Sequence, residues 1–261
     1  MKIGVCVGTR YNDMLKAKEF GYDYVESHCQ EIAAMSDEEL EKYRNCGIPI
    51  FAACCFIGLR VVGKEKNPQA INEYLERMFR KTHYLGIEYL VFGSSGARKM
   101  IPEDGLTVEE TREQIAEFLK NDVVPYCEKY NMTVVIEPLR TEECNVISTV
   151  PQAIEIAKKV DSRYIRVLAD VKHMVCENDP FDALEGYAEY LKHGHTSNPY
   201  PPAELGKKRI YPKENDGFNQ DDFFLPMIKA GVEHISIEAD LIDFDTDAPG
   251  AMKVLEKYKS M

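Results

Sequence analysis

Short apolar runs recur eight times along the 261 residues, each followed by a helical pattern or a helix-sized gap. A strand that feeds a helix and returns beside a parallel neighbour is the βαβ unit, and eight of these over about 250 residues close into a barrel. The strands are expected at 3–7, 22–28, 49–55, 88–93, 133–137, 165–170, 192–195 and 233–240. The run at 49–55 is apolar throughout, as suits a parallel strand covered on both faces. With no linker, low-complexity tract or break in composition, the expected fold is α/β, a single (β/α)8 barrel over residues 1–261.

The segments between the strands carry helix signals. Ser36-Asp37-Glu38-Glu39 and Thr107-Val108-Glu109-Glu110 are capping boxes, in which a hydroxyl accepts from a free helix amide and a glutamate reaches back. Ile71, Tyr74, Leu75, Met78 and Phe79 repeat at three-four spacing, so they belong to a core-facing helix that Gly86 ends. The helix begun at Thr107 must be kinked or interrupted by Pro125. Residues 181–191 are expected to be helical, and so are 221–230 and 252–259. Two loops are singled out. Residues 94–99 are small and carry Arg98 and Lys99, cations that could meet an anion or a sugar hydroxyl. Residues 199–219, rich in Pro, Gly, Lys and Asp, are long enough to read as a lid.

Four of the strands end on polar side chains. Glu137, Asp170, His195 and Glu238 stand at or near the ends of strands five to eight, where barrel active sites lie. Any one of the carboxylates could simply cap the helix that follows it. Together, three carboxylates and an imidazole in a narrow mouth repel unless a cation lies between them. An oxygen-rich set with one nitrogen suits Mn²⁺ best, with Mg²⁺ or Co²⁺ also admissible. On strand two, alternation puts Tyr24, Glu26 and His28 on one face, so Glu26 is placed at the mouth as a substrate contact; a salt-bridged glutamate is the plainer reading. His28, His83, His193 and His234 read as structural.

Composition removes other classes. A net charge of -12 and a pI near 5.1 argue against a surface that tracks phosphate backbones. No run approaches the ~18 apolar residues of a membrane span, and the first residues start directly as a strand, so a cytoplasmic protein is expected. The eight cysteines are scattered without a C-x-x-C pair and read as mostly reduced core residues.

The motifs at the strand ends are Glu137-Pro138-Leu139 with Glu143-Cys144-Asn145 downstream, Asp170-Val171-Lys172-His173-Met174, His193-Gly194-His195 and Ile237-Glu238. On these the chain resembles the xylose-isomerase-like barrel superfamily, closest to ketose 3-epimerases of the tagatose and psicose type, over nearly its whole length and most clearly across 91–240. The resemblance implies one divalent ion held by Glu137, Asp170, His195 and Glu238, with substrate contacts from Glu143 and His173. Two departures stand out. Pro199-Tyr200-Pro201-Pro202 occupies the place of a family arginine, leaving Arg209 to reach the substrate from a longer loop, and Arg140-Thr141 replaces the usual Asn-Arg after Glu-Pro-Leu.

The implied chemistry moves a proton next to a carbonyl through an enediolate stabilised by the metal, with Glu137 and Glu238 as base and acid. The same chemistry would serve an inosose or aldose-ketose isomerase, or a lyase acting on a 3-keto glycoside. An abasic-site endonuclease would need histidines on strands three and four, where this chain has Phe51-Ala52-Ala53-Cys54-Cys55 and Val91-Phe92-Gly93-Ser94. A non-catalytic sugar-binding subunit is the reading from another class. The expected partner is a small sugar, with neither nucleic acid nor membrane; a homo-oligomer is compatible with the chain, and the sequence does not specify one.

Overall fold

The computed structural model describes residues 1–199, 209–240 and 243–261. Eight parallel strands pair in chain order: β1 (Lys2–Cys6), β2 (Tyr24–His28), β3 (Ile50–Cys54), β4 (Tyr89–Phe92), β5 (Thr133–Ile136), β6 (Ile165–Asp170), β7 (Leu191–Thr196) and β8 (His234–Ile237). Pairing of β8 with β1 closes the barrel. The expected eighth strand runs past the ladder: Glu238 lies beyond β8, although its N–H still donates to Thr196 O at 3.0 Å.

Alternation along the strands sorts side chains between two cores. Leu90, Phe92, Val134, Ile136, Val167 and Ala169 point outward into the large core under the helices. Val91, Val135 and Leu168, with Cys54, form a separate cluster inside the barrel. The opposite half of the interior is polar: Tyr24 and Glu26 from β2, His193 and His195 from β7 and Ser236 from β8 are all buried. Aromatic rings plug the base, with Phe51 stacked on His234 at a centroid distance of 3.9 Å. Each inner-facing pair, such as Val135 and Glu137 or Leu168 and Asp170, therefore has a lower residue that fills the barrel and an upper one that enters its mouth.

Both capping boxes form. Pro125 interrupts its helix as expected: Val108–Phe118 is followed by a π-helical turn over Leu119–Val123 and a second helix over Val124–Tyr130. The missing proline N–H breaks the regular ladder, and the wider turn accommodates the break.

Three expectations need correction. The helix expected over 181–191 is a 3-10 segment, Phe181–Tyr187, and Leu191 already belongs to β7. Phe181 and Leu184 are three apart, the period of the tighter helix. Residues Ser95–Arg98 form a helical turn instead of an open loop. The last helix begins early, at Phe244, because the Asp243 side chain caps it, and it tolerates Pro249.

Of the expected lid at 199–219, residues 200–208 lie outside the described residues. Its return is pinned: Asn198 and Ile210 form an antiparallel bridge, Asp240 N donates to Arg209 O at 2.8 Å, and Arg209 N donates to the Asp240 side-chain Oδ2 at 2.7 Å. Among the described residues, no helix is long and apolar enough to cross a membrane.

Candidate metal centre

The upper inner-facing residues of β5 to β8 meet at one point. Around His195 Nδ1 stand Glu137 Oε1 at 3.2 Å, Glu238 Oε2 at 3.1 Å and Asp170 Oδ2 at 3.9 Å. Ligand atoms of the four residues all lie within 4.8 Å of one another. Register explains part of this, since Asp170 is the direct partner of His195 across β6 and β7. Asp170 also does what a strand-end carboxylate ordinarily does, because its Oδ1 accepts from His173 N at 2.9 Å and caps the helix Val171–Glu177. Oδ2 is left for the cluster. Three carboxylates and one imidazole nitrogen within a few ångströms fit a hard divalent cation.

The far nitrogen of His195 is fixed from below. Its Nε2 lies 3.0 Å from Glu26 Oε1, while Glu26 Oε2 takes His193 Nε2 at 3.0 Å and Ser236 Oγ at 2.7 Å. Glu26 is fully buried. The expectation that Glu26 contacts substrate is therefore corrected: it lies under His195 with both oxygens occupied. The strand-two alternation aimed it inward correctly but one layer too high. Burial raises the pKa of this carboxyl, yet the two histidines outweigh burial and hold it well below the usual range. Burial likewise opposes charging His195, and Glu26 and Glu137 overcome it, holding the imidazole pKa well above the ordinary value. A carboxylate on the outer nitrogen of a ligating histidine sets its tautomer and ring orientation.

Glycine and arginine shape the β5 end. A Cβ at Gly93, just past β4, would collide with Glu137 Oε2. Gly93→Ala is expected to leave the barrel folded, cost about 1–3 kcal/mol of stability through overpacking, and displace Glu137. Isothermal titration with Mn²⁺ checks the second effect, and an unchanged affinity would show that Glu137 can yield. Arg98, which the sequence left free to meet a ligand, is buried, donating from Nη1 to Phe92 O at 2.8 Å and from Nη2 to Glu137 O. The helical turn at 95–98 folds it back beneath the strand ends, so it holds Glu137 in place.

Arg209 and His173 do reach the site. The Arg209 guanidinium is ion-paired with Glu238 and lies 3.2 Å from Asp170 Oδ2. His173 accepts from Arg140 N at 3.0 Å through Nδ1, and its Nε2 meets Arg209 Nη2 at 2.7 Å. Burial, then the Arg209 charge, push the His173 pKa down to about 3, so the ring is neutral. Glu143 is held by Arg140 Nε at 2.6 Å and Lys172 Nζ at 3.5 Å, which gives Arg140, a departure from the family pattern, a concrete task. Glu137, Glu143, His173, Arg209 and Glu238 all line one cavity of about 340 Å³. That volume lies within the range of small-molecule sites. A larger depression of about 670 Å³ opens at the other end of the barrel, beside Lys2 and His234, where residues serve stability in this architecture.

With the barrel and this cluster in view, comparison with known proteins is direct. The family model described as Xylose isomerase-like TIM barrel matches residues 14–258, and the chain belongs to that family. No curated protein matches the chain significantly. Among solved structures, D-psicose 3-epimerase in the presence of D-fructose is similar with a TM-score of 0.84 at 17% identity, covering 100% of both chains. The apo form of 3-keto-D-glucoside 4-epimerase from E. coli gives 0.79 at 18%, again over 100% of both. The IOLI protein with a binding zinc atom gives 0.71 at 19%, over 99% of this chain and 96% of that one. At these identities the likeness establishes the barrel.

Proposed function

We propose that this chain is a carbohydrate epimerase that uses one divalent ion, Mn²⁺ in preference to Mg²⁺ or Co²⁺, and that its reaction is epimerisation of a ketose at the carbon beside the carbonyl. The carrying observation is that Glu137 and Glu238, from different strands, lie 3.2 and 3.1 Å from the same nitrogen of His195, so two carboxylates bracket one point. Glu137, Asp170, His195 and Glu238 would hold the ion, which when bound polarises the substrate carbonyl and acidifies the adjacent C–H bond. One glutamate removes that proton from one face and the other returns one from the opposite face. With Nδ1 of neutral His173 accepting from Arg140, its Nε2 bears the ring proton, and once the Arg209 guanidinium now 2.7 Å away turns toward the substrate, Nε2 donates to a sugar hydroxyl. Glu143 accepts from another hydroxyl, and Arg209 orients the substrate. The sugar epimerases among the similar structures support this reading.

The test is incubation in heavy water with Mn²⁺ and a panel of ketoses, inososes and 3-keto glycosides. Deuterium should enter beside the carbonyl of a ketose as its 3-epimer appears. Chelation should stop exchange and added Mn²⁺ restore it. Isomerised or eliminated products would assign the site to an isomerase or a lyase, and no exchange with any substrate while Mn²⁺ is bound would overturn the reading.

A further inference from the structure

A second cluster of ligating side chains, two of them in the wall of the same cavity, plays no part in the chemistry above. We propose that His28, Cys54 and Cys55 form a separate site for one thiophilic metal ion of the Zn²⁺ class. Their ligand atoms lie within 4.8 Å of one another. Adjacent residues of an extended strand point to opposite faces, which would separate two neighbouring thiols. Cys55, immediately after β3, instead adopts φ +54°. This left-handed backbone is unfavourable for a residue with a side chain and persists where the surroundings impose it. Its effect is to turn the exposed Cys55 back toward Cys54 and His28, at the edge of the cavity.

The histidine is built as a ligand. Its Nδ1 faces Glu31 Oε1 at 3.1 Å, and the other carboxylate oxygen of Glu31 accepts from Thr9 Oγ1. A carboxylate on one imidazole nitrogen orients the ring and leaves the other, here Nε2, for an ion. Gly8 backs the ring, with φ +58° and room for a Cβ no closer than 3.3 Å to His28 Cε1. Charge is arranged to match: hydrogen bonds from Cys54 and His28 bring the Cys55 thiol down to about 5, while Cys55 and Glu31 raise His28 to about 9. On metal binding, Cys54 and His28 give up the protons they hold. Two thiolates and an imidazole leave a fourth tetrahedral position open, and their softness distinguishes this site from the carboxylate cluster.

Cadmium titration of the intact chain tests this, because the thiolate-to-cadmium charge-transfer band reports sulfur ligation and is blind to ions held by carboxylates. One saturating equivalent of Cd²⁺, displaceable by Zn²⁺, should give a two-thiolate band and release protons. Cys54→Ser and Cys55→Ser should each remove about half the band and weaken Cd²⁺ by more than the ~10–100-fold typical of an outer partner. Glu31→Gln should keep the full band at saturation and weaken binding by roughly 10–100-fold. Glu137→Gln should leave the band unchanged. Absence of a saturable band in the unmodified protein, or an undiminished band in Cys55→Ser, overturns the site, and both measurements stand even if Cys54→Ser fails to fold.

Discussion

Glu137→Gln and Glu238→Gln, each assayed at saturating Mn²⁺, are expected to lower epimerase turnover by roughly 10²–10⁴-fold, the range contributed by a positioned acid or base. Glutamine keeps the size of the side chain and can still offer an oxygen to an ion, but it cannot accept or return a proton. Both positions face the same point, so a two-base reaction stops when either fails. The two variants should nevertheless differ in a diagnostic way. A protein that retains one base can still exchange the proton of the epimer which that base faces, without inverting it. Deuterium uptake followed by NMR, starting separately from each epimer, should show exchange from one epimer in Glu137→Gln and from the other in Glu238→Gln, with interconversion lost in both. Turnover within tenfold of the unmodified protein at either position would remove that residue from the proton path.

Much of this centre is legible in the sequence because a barrel strand leaves a simple signature: an apolar inner residue two positions before a polar one. Val135 precedes Glu137 and Leu168 precedes Asp170 in this way, and the same period joins His193 to His195. What pattern does not carry is depth. Glu26 is aimed inward by alternation, but its partners are on β7 and β8, and that adjacency exists only because the barrel closes through β1. Arg98 illustrates the opposite failure. A cation among small residues looks available to a ligand, and only the helical turn that returns it to the carbonyls of Phe92 and Glu137 makes it a structural group. Cys55 was hidden for a third reason, since the backbone conformation that gathers His28, Cys54 and Cys55 is one that cysteine rarely adopts.

Glu26→Ala is expected to destabilise the fold by about 3–5 kcal/mol, the cost of breaking a buried charge pair by removing one partner. The loss is large because three groups depend on this carboxylate: His193, His195 and Ser236 are all fully buried and all hydrogen-bond to it. Truncation leaves His193 Nε2 and His195 Nε2 without this partner where little water can reach, while Ser236 keeps only the Tyr24 hydroxyl at 3.1 Å. Glu26→Gln should cost less, since the amide oxygen can accept from one histidine while its NH₂ is turned against the other. Both variants should also weaken Mn²⁺ by roughly 10–100-fold, as loss of the carboxylate behind a ligating histidine does. Guanidinium unfolding measures the first effect and metal titration the second. A substrate-contacting glutamate would behave differently: its removal would raise KM, while stability stayed within about 0.5 kcal/mol, as for substitutions away from a buried network. Stability and metal affinity falling together would place Glu26 beneath the metal centre, holding His195 at the angle from which Nδ1 meets the three carboxylates.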